Sequence, residues 1–332
     1  MESMPKIMAN TPAEFKPVAT SSKNIERSIT LRVPGSTANL GPAFDTMGLA
    51  LSVHTWLQFV LLRQEDLSVP LIAGYGEICQ KLPMDSSNFI FQILSKLWQQ
   101  QPTLLRRIRI SSYTNIPTER GLGSSGTVIA ATCYAARVLR ELDVRTDALL
   151  LDCALFENHI DNMSASLLGG LVISHHDKNR SRVFTTSLQW PSKWKTIVVV
   201  PPYATSTDHA RALLPQAWPQ ADVISNLQRI ALLTTAISRG DERLLKEALH
   251  DSLHEPYRLG LVPALHEVRA VLKGSAALGC VLSGAGSSVL VVVPEKDLDS
   301  VLSLLRNNGV TSKNQILSLA VDEDGLTEIQ LR

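Results

Sequence analysis

Apolar residues at Ile29, Leu31 and Val33 alternate with Thr30 and Arg32, the period-two pattern of a half-buried strand, and Pro34-Gly35 is expected to end it in a loop. Ile108, Ile110 and Ile116 share one parity, so a further strand leads up to Pro117. After a glycine-rich stretch, Val128, Ala131, Ala135, Val138, Leu139 and Leu142 recur at helical spacing, and a Ser or Gly at 124 to 126 supplies the helix entry. "DALLLDCALFEN" lacks strand alternation and reads as another helix, while Gly169-Gly170 precede a strand at Leu171 to Ser174. The chain then turns polar near 178 to 195, where a domain boundary is expected.

Beyond that stretch the pattern predicts a strand at Ile197 to Val200, a helix carrying Ile224, Leu227, Ile230, Ala231 and Ile237, and a charged helix from Asp241. "CVLSGAGSSVLVVV" reads as two strands around a small-residue turn, and "ILSLAVDEDGLTEIQL" as a terminal hairpin with Asp324-Gly325 in its turn. The acidic run Asp322-Glu323-Asp324 lacks the ligand spacing of a calcium loop.

A length of 332 residues is long for a single hydrophobic core, so two domains are expected. The 32 basic and 31 acidic residues leave a net charge of +1, which draws the chain neither to nucleic acid nor to an acidic membrane, and any anion site must be local. Cys79, Cys133, Cys153 and Cys280 form no C-x-x-C pair, which fits a reducing, cytoplasmic setting. No apolar run reaches the roughly 20 residues of a membrane helix. Residues 1–26, without an apolar signal core, read as a flexible tail.

Gly121-Leu122-Gly123-Ser124-Ser125-Gly126 matches the G-x-G-x-x-G pattern of dinucleotide enzymes. That fold needs an acidic residue at the end of a second strand; Glu141 has the right distance but falls at the end of a helix. The P-loop needs a lysine after its last glycine, and none lies between Lys96 and Lys178. What survives is physical: glycines allow close backbone approach, and a helix start favours an anion. The alternative is a tight loop whose Ser124 or Ser125 caps a helix. "VPGSTANLGPAFDTMGLAL" adds Asn39 and Asp45, suited either to hydroxyl and amine groups of a small ligand or to ordinary turn chemistry. "LSGAGSSVLVVV" permits close approach to a ligand or to another loop.

In this order the three stretches resemble the motifs of the superfamily of galacto-, homoserine, mevalonate and phosphomevalonate kinases, from about residue 28 to the last strands. Within it, "PGSTANLGPAFDTMGLAL" and "ENHIDNMSASLLGGLVIS" are most similar to the homoserine kinase family. The resemblance implies an α+β fold of two domains: a mixed α/β nucleotide-binding domain over 27–185 and a ferredoxin-like domain over 186–332. It implies ATP-dependent phosphorylation of the L-homoserine hydroxyl, a step of threonine biosynthesis, by a homodimer using Mg²⁺.

The same likeness assigns residues. The backbone from Gly121 through Leu122, Gly123, Ser124 and Ser125 to Gly126 would cradle the ATP phosphates, Ser125 and Glu157 would hold Mg²⁺, and Asn88 would lie near the adenine. Arg211 and Arg258 would clamp a carboxylate and Asp45 would take the ammonium, with Asn39, His159 and Asn162 at the hydroxyl end. Mevalonate-type kinases have an aspartate base where this chain has Asn162, so transfer without a strong base is implied. Gly35, Ala43, Ile160 and Ser287 depart from the family pattern at Ala, Gly, Pro and Pro. A kinase of the same fold acting on threonine or another amino-acid alcohol, and a non-catalytic ligand-binding relative, are the alternatives.

Overall fold

The computed structural model describes residues 6–7 and 11–330; positions 1–5 and 8–10 of the expected tail lie outside the described residues, as do 331–332. A short strand, β1 (Lys6–Ile7), precedes the long antiparallel pair β2 (Ile25–Ala38) and β3 (Met47–Leu62). Pro34 does not end β2. The register shifts between Pro34 and Gly35, a bulge at which a missing N–H is tolerated, and the strand continues to Ala38.

β4 (Ile72–Tyr75) and β5 (Ile108–Thr114) extend this sheet beyond β3, while β6 (Leu171–Asp177) pairs with the start of β3 and with β7 (Arg182–Leu188). Leu31, Leu57, Phe59 and Ile110 pack with Ile93, Ile129, Leu149 and Leu167 from the helices Phe89–Leu97, Ser124–Val138, Thr146–Cys153 and Asp161–Leu168. The helical spacing from Val128 onward thus marks a real buried face, although the helix stops before Leu142.

The second sheet contains β8 (Trp194–Val200), β9 (Gly279–Leu282), β10 (Val289–Pro294) and β11 (Gln315–Leu319), ordered β11-β8-β10-β9 and antiparallel throughout. With helices between β8 and β9 and between β10 and β11, this is the ferredoxin-like arrangement. Val198 and Leu290 face Leu233 and Leu245 of the helices Gln220–Arg239 and Glu242–Ala248. Ile197 and Val291 face Val268 and Leu305 of Pro263–Leu272 and Leu298–Asn307. Burial on both faces explains why "TIVVV" and "VLVVV" are apolar runs without alternation.

Three expectations need correction. The boundary at 185/186 falls inside β7, whose polar outer residues hid a strand that hairpins with β6. The terminal hairpin does not form: β11 stays in the second sheet, while β12 (Thr327–Ile329) crosses to pair with β2 and β1 in the first. The segment assigned to a tail is packed from Phe15, buried against Trp56 and Ile329, and Val18 N–H donates to Gln58 Oε1.

Asp322 secures that crossing. Its Oδ1 accepts from the N–H groups of Asp324 and Gly325, and its Oδ2 lies 2.7 Å from His54 Nε2 and 3.7 Å from Arg32 Nη2. Burial raises the Asp322 carboxyl pKa, but the His54 bond and charge, the Gly325 N–H and Arg32 together bring it below the ordinary value of 3.8. A lowered pKa stabilises the fold above the unfolded value, and the contribution is lost as pH falls through the folded value. Asp322→Ala is expected to cost on the order of 3 kcal/mol at neutral pH. Urea midpoints should fall for the wild type below pH 3.8, with a smaller acid-induced fall in the variant.

Candidate active site

Gly121 and Gly123 adopt φ of 74° and 68°, in the left-handed region that glycine enters without strain. Space forbids a side chain as well. A Cβ at Gly121 would sit 2.1 Å from the Ser283 carbonyl oxygen, and one at Gly123 would sit 2.3 Å from Ser36 Oγ. Leu122 turns its side chain into the core and accepts the Ser36 N–H through its carbonyl at 3.1 Å, so only its backbone is available to a ligand.

The helix Ser124–Val138 starts at Gly123 with no side-chain cap. Of the two readings of the loop, helix capping by Ser124 or Ser125 is therefore not the one realised. Ser125 Oγ instead donates to Glu157 Oε1 at 2.7 Å. The first-turn N–H groups, aligned with the positive end of the helix dipole, remain to bind an anion in the cleft.

The small-residue turn after β9 holds this loop from behind. Ser283 Oγ donates to Gly121 O at 2.6 Å, and Gly284 N–H donates to Ala38 O at 3.1 Å. Asn39 Nδ2 donates to Gly284 O at 2.9 Å, and its Oδ1 receives the Asp45 N–H at 3.0 Å. Asn39 is 4% exposed with φ of 74°, so it orders the 39–45 loop and presents little of itself to the cleft.

Asp45 and Arg211 form a two-pronged pair at 2.7 and 3.0 Å. Burial lowers the Arg211 pKa, but the Asp45 bond and charge reverse this and raise it. Arg258 is 1% exposed, and burial followed by the charge of Arg211 pushes its pKa down to about 10, still cationic at neutral pH. Both guanidinium groups lie over the Phe44 ring, at 5.6 and 5.3 Å.

His159 Nδ1 lies 3.1 Å from Asp161 Oδ1, and Nε2 lies 3.5 Å from Glu157 Oε2. Burial lowers the His159 pKa, yet the Asp161 bond and charge, with Glu157, raise it overall above 6.5. Asp161 Oδ1 also accepts the Asn162 N–H at 2.8 Å and Asn162 Nδ2 at 3.3 Å, and Asn162 Oδ1 accepts from Ser36 Oγ at 2.9 Å.

All of these groups except Ser36, Phe44 and Ser283 line one cavity of about 730 Å³ between the two sheets, together with Asn88 and the apolar wall of Leu57, Ile90 and Val128. Asn88 caps the helix Phe89–Leu97: Oδ1 accepts from Ile90 N and Nδ2 donates to Pro83 O. Its amide is engaged as a cap while its surface borders the apolar end. Sequence reasoning missed Phe44, Asp161 and Ser36, although each sits within a quoted motif; their neighbours drew the assignments. Asp45, His159 and Asp161 bring ligand atoms within 4.8 Å of one another. With Arg211 on Asp45 and three N–H donors at 2.8–3.3 Å from Asp161 Oδ1, that cluster is already paired.

Comparison with known proteins matches residues 88–170 to the GHMP kinases N terminal domain and 233–311 to the GHMP kinases C terminal domain. A homoserine kinase of Nostoc sp. is 32% identical over 92% of this chain and all of its own length. One from Solibacter usitatus is 34% identical, covering 89% of this chain and 95% of its own. The crystal structure of homoserine kinase from Cytophaga hutchinsonii superposes with a TM-score of 0.77 at 21% identity over 95% of this chain and all of its own, a likeness of fold. No helix among the described residues is long and apolar enough to cross a membrane.

Gly123→Ala tests the loop geometry. Left-handed strain of about 1–2 kcal/mol adds to the displacement of Ser36 Oγ, so the urea midpoint should drop clearly. A midpoint equal to the wild type would show that this crowding is not felt.

Proposed function

The chain belongs to the homoserine kinases of the GHMP kinase family, and on that premise we propose how its cleft transfers the terminal phosphoryl group of ATP to the hydroxyl of L-homoserine. The product, O-phospho-L-homoserine, is an intermediate of threonine biosynthesis in this reading. One observation carries it: an uncapped helix start behind a glycine loop shares a single cavity with a paired carboxylate and guanidinium and with a second, buried guanidinium.

The N–H groups from Gly121 to Gly126 take the phosphates, with the base toward Leu57, Ile90 and Val128 near Asn88. Ser125 Oγ and Glu157 Oε1, 2.7 Å apart beside the loop, suit a hard cation that takes one or two protein oxygens and completes its shell elsewhere. Mg²⁺ held there would neutralise charge on the β- and γ-phosphates.

Homoserine carries an ammonium and a carboxylate, and the Asp45–Arg211 pair presents the complement of each. Asp45 can exchange its bond to Arg211 for the ammonium, while Arg258 and Arg211 offer planar forks for the carboxylate. Asn162, as an amide, cannot take the hydroxyl proton; together with His159 it fixes the position of the attacking oxygen. In-line alignment and charge neutralisation then supply the rate, and the proton leaves to the phosphate or to water. A homodimer in a reducing, cytoplasmic setting completes the reading, consistent with four free cysteines; sedimentation velocity measures its oligomeric state.

The test is ADP release with homoserine, threonine and mevalonate as acceptors. Homoserine should give the highest kcat/KM, and Ser125→Ala or Glu157→Gln should lower kcat roughly 10²- to 10³-fold while the fold is retained. Preference for threonine would overturn the substrate assignment, and unchanged kcat in both variants would overturn the metal assignment. Arg258→Ala should raise KM for homoserine far more than KM for ATP.

A further inference from the structure

Arg258 is held by three contacts. Nε donates to Ala210 O at 3.3 Å, and Nη1 donates to Gly284 O at 3.4 Å and to His254 Nδ1 at 3.1 Å. No described residue accepts from Nη2, and Arg258 lines the cavity, so this nitrogen is the part left for a ligand. Of the three acceptors only His254 is a side chain, and it is completely buried.

The geometry settles the state of the ring. A guanidinium N–H can only donate, so Nδ1 must be the acceptor; Nε2, 3.0 Å from Gly41 O, must then carry the proton. Phe44 stacks on the same imidazole at 5.0 Å with an interplanar angle of 20°. His254 and Arg258 stand four residues apart in "HEPYR", around the single turn Glu255–Arg258, which places them on one face.

The nearby carboxylates are occupied elsewhere. Asp251 accepts the N–H groups of Leu253, His254 and Glu255, its Oδ2 lying 3.7 Å from His254 Nε2. Glu255 accepts from Arg269 Nη2 and from the Leu282 N–H. A carboxylate bonded to Nη1 would neutralise Arg258 and compete with an incoming carboxylate. A neutral imidazole satisfies the N–H and leaves the positive charge available.

We propose that His254, as the neutral Nε2–H tautomer, is a positioning residue that orients Arg258 for the substrate carboxylate without neutralising it. This rests on the reading of Arg258 as the carboxylate clamp. The burial of His254 agrees: it lowers the imidazole pKa below 6.5, and Arg258 adds to this against the opposing effects of Asp251, Glu255 and Gly41 O.

Two substitutions separate the ring nitrogens. His254→Asn places an amide oxygen near the Nδ1 position and keeps the acceptor for Arg258, while His254→Gln reaches toward Gly41 O and loses that acceptor. His254→Gln should raise KM for homoserine roughly ten- to hundredfold, with kcat and KM for ATP changed much less; His254→Asn should stay close to wild type. Equal effects in the two variants, no effect in either, or the opposite order would overturn the proposal. Arg258→Lys is the control: if it leaves KM for homoserine unchanged, the clamp reading fails independently of His254. Should the His254 variants not fold, ¹⁵N-histidine spectra of the wild-type protein decide, with Arg258→Lys used only to assign the resonance. The resonance perturbed by Arg258→Lys must show a protonated Nε2 and a bare Nδ1 at neutral pH, and any other tautomer overturns the proposal.

Discussion

The backbone-to-backbone contact between Gly121 and the 283–286 turn is the constraint on which the cleft depends. A Cβ on Gly121 would stand 2.1 Å from Ser283 O and 2.9 Å from Gly286 O, so the two loops touch at a distance only glycine permits. The Ser283 hydroxyl closes the contact on Gly121 O, and the next residue bonds Ala38 and Asn39. The second sheet thereby sets the position of the glycine loop and of the 39–45 loop together. One small-residue turn fixes the distance between the glycine-loop end and the charged end of the cavity.

Charge at that second end is arranged so that cations are neither lost nor wasted. Asp45 and Arg211 satisfy one another at 2.7 and 3.0 Å, which spares each the cost of an unpaired, half-buried charge. Exchanging that pair for a zwitterion replaces one ion pair by two. In the proposed binding mode a ligand with a single charge would leave one partner uncompensated, so the arrangement would discriminate by what it leaves unpaired as much as by what it binds. Arg258 differs because its direct hydrogen-bond partners, Ala210 O, Gly284 O and His254 Nδ1, are neutral, and the carboxylates of Asp45, Asp251 and Glu255 act on it only through space.

How much of this was legible in the sequence depended on whether a signal was local. The helix after Gly126 and the strand at Ile29 to Val33 carry their own periodicity, and Gly121 to Gly126 stood out by residue type, while the roles of Ser125 and Glu157 were reached only through the family resemblance. The β7 strand did not, because an edge strand with Arg182, Phe184, Thr186 and Ser187 turned outward has little apolar alternation to read. Nor did the divergence of β11 and β12, since Asp324-Gly325 marks a turn in either case and only pairing with β2, nearly 300 residues away, decides where the last strand goes. Phe44 and His254 escaped notice for a related reason: their roles lie in contacts with Arg211, Arg258 and Gly41 that no spacing within one motif expresses.

Asn162, at the position where the resemblance to mevalonate-type kinases implies a carboxylate base, shows what the fold asks of this chain instead. Asn162 is held at both ends, its oxygen by Ser36 and its nitrogen by Asp161, and Asp161 spends one oxygen on two N–H groups of Asn162 and on His159. Such a cross-braced group is built to stay still, which suits a reaction limited by the alignment of a hydroxyl with a phosphorus and poorly suits proton shuttling. Ser36 reaches Asn162 only because β2 continues through the bulge at Pro34, and Gly123 lacks the side chain that would displace it. The strand irregularity that sequence reasoning took for an ending is therefore what carries the brace to the Asn162 end of the cleft.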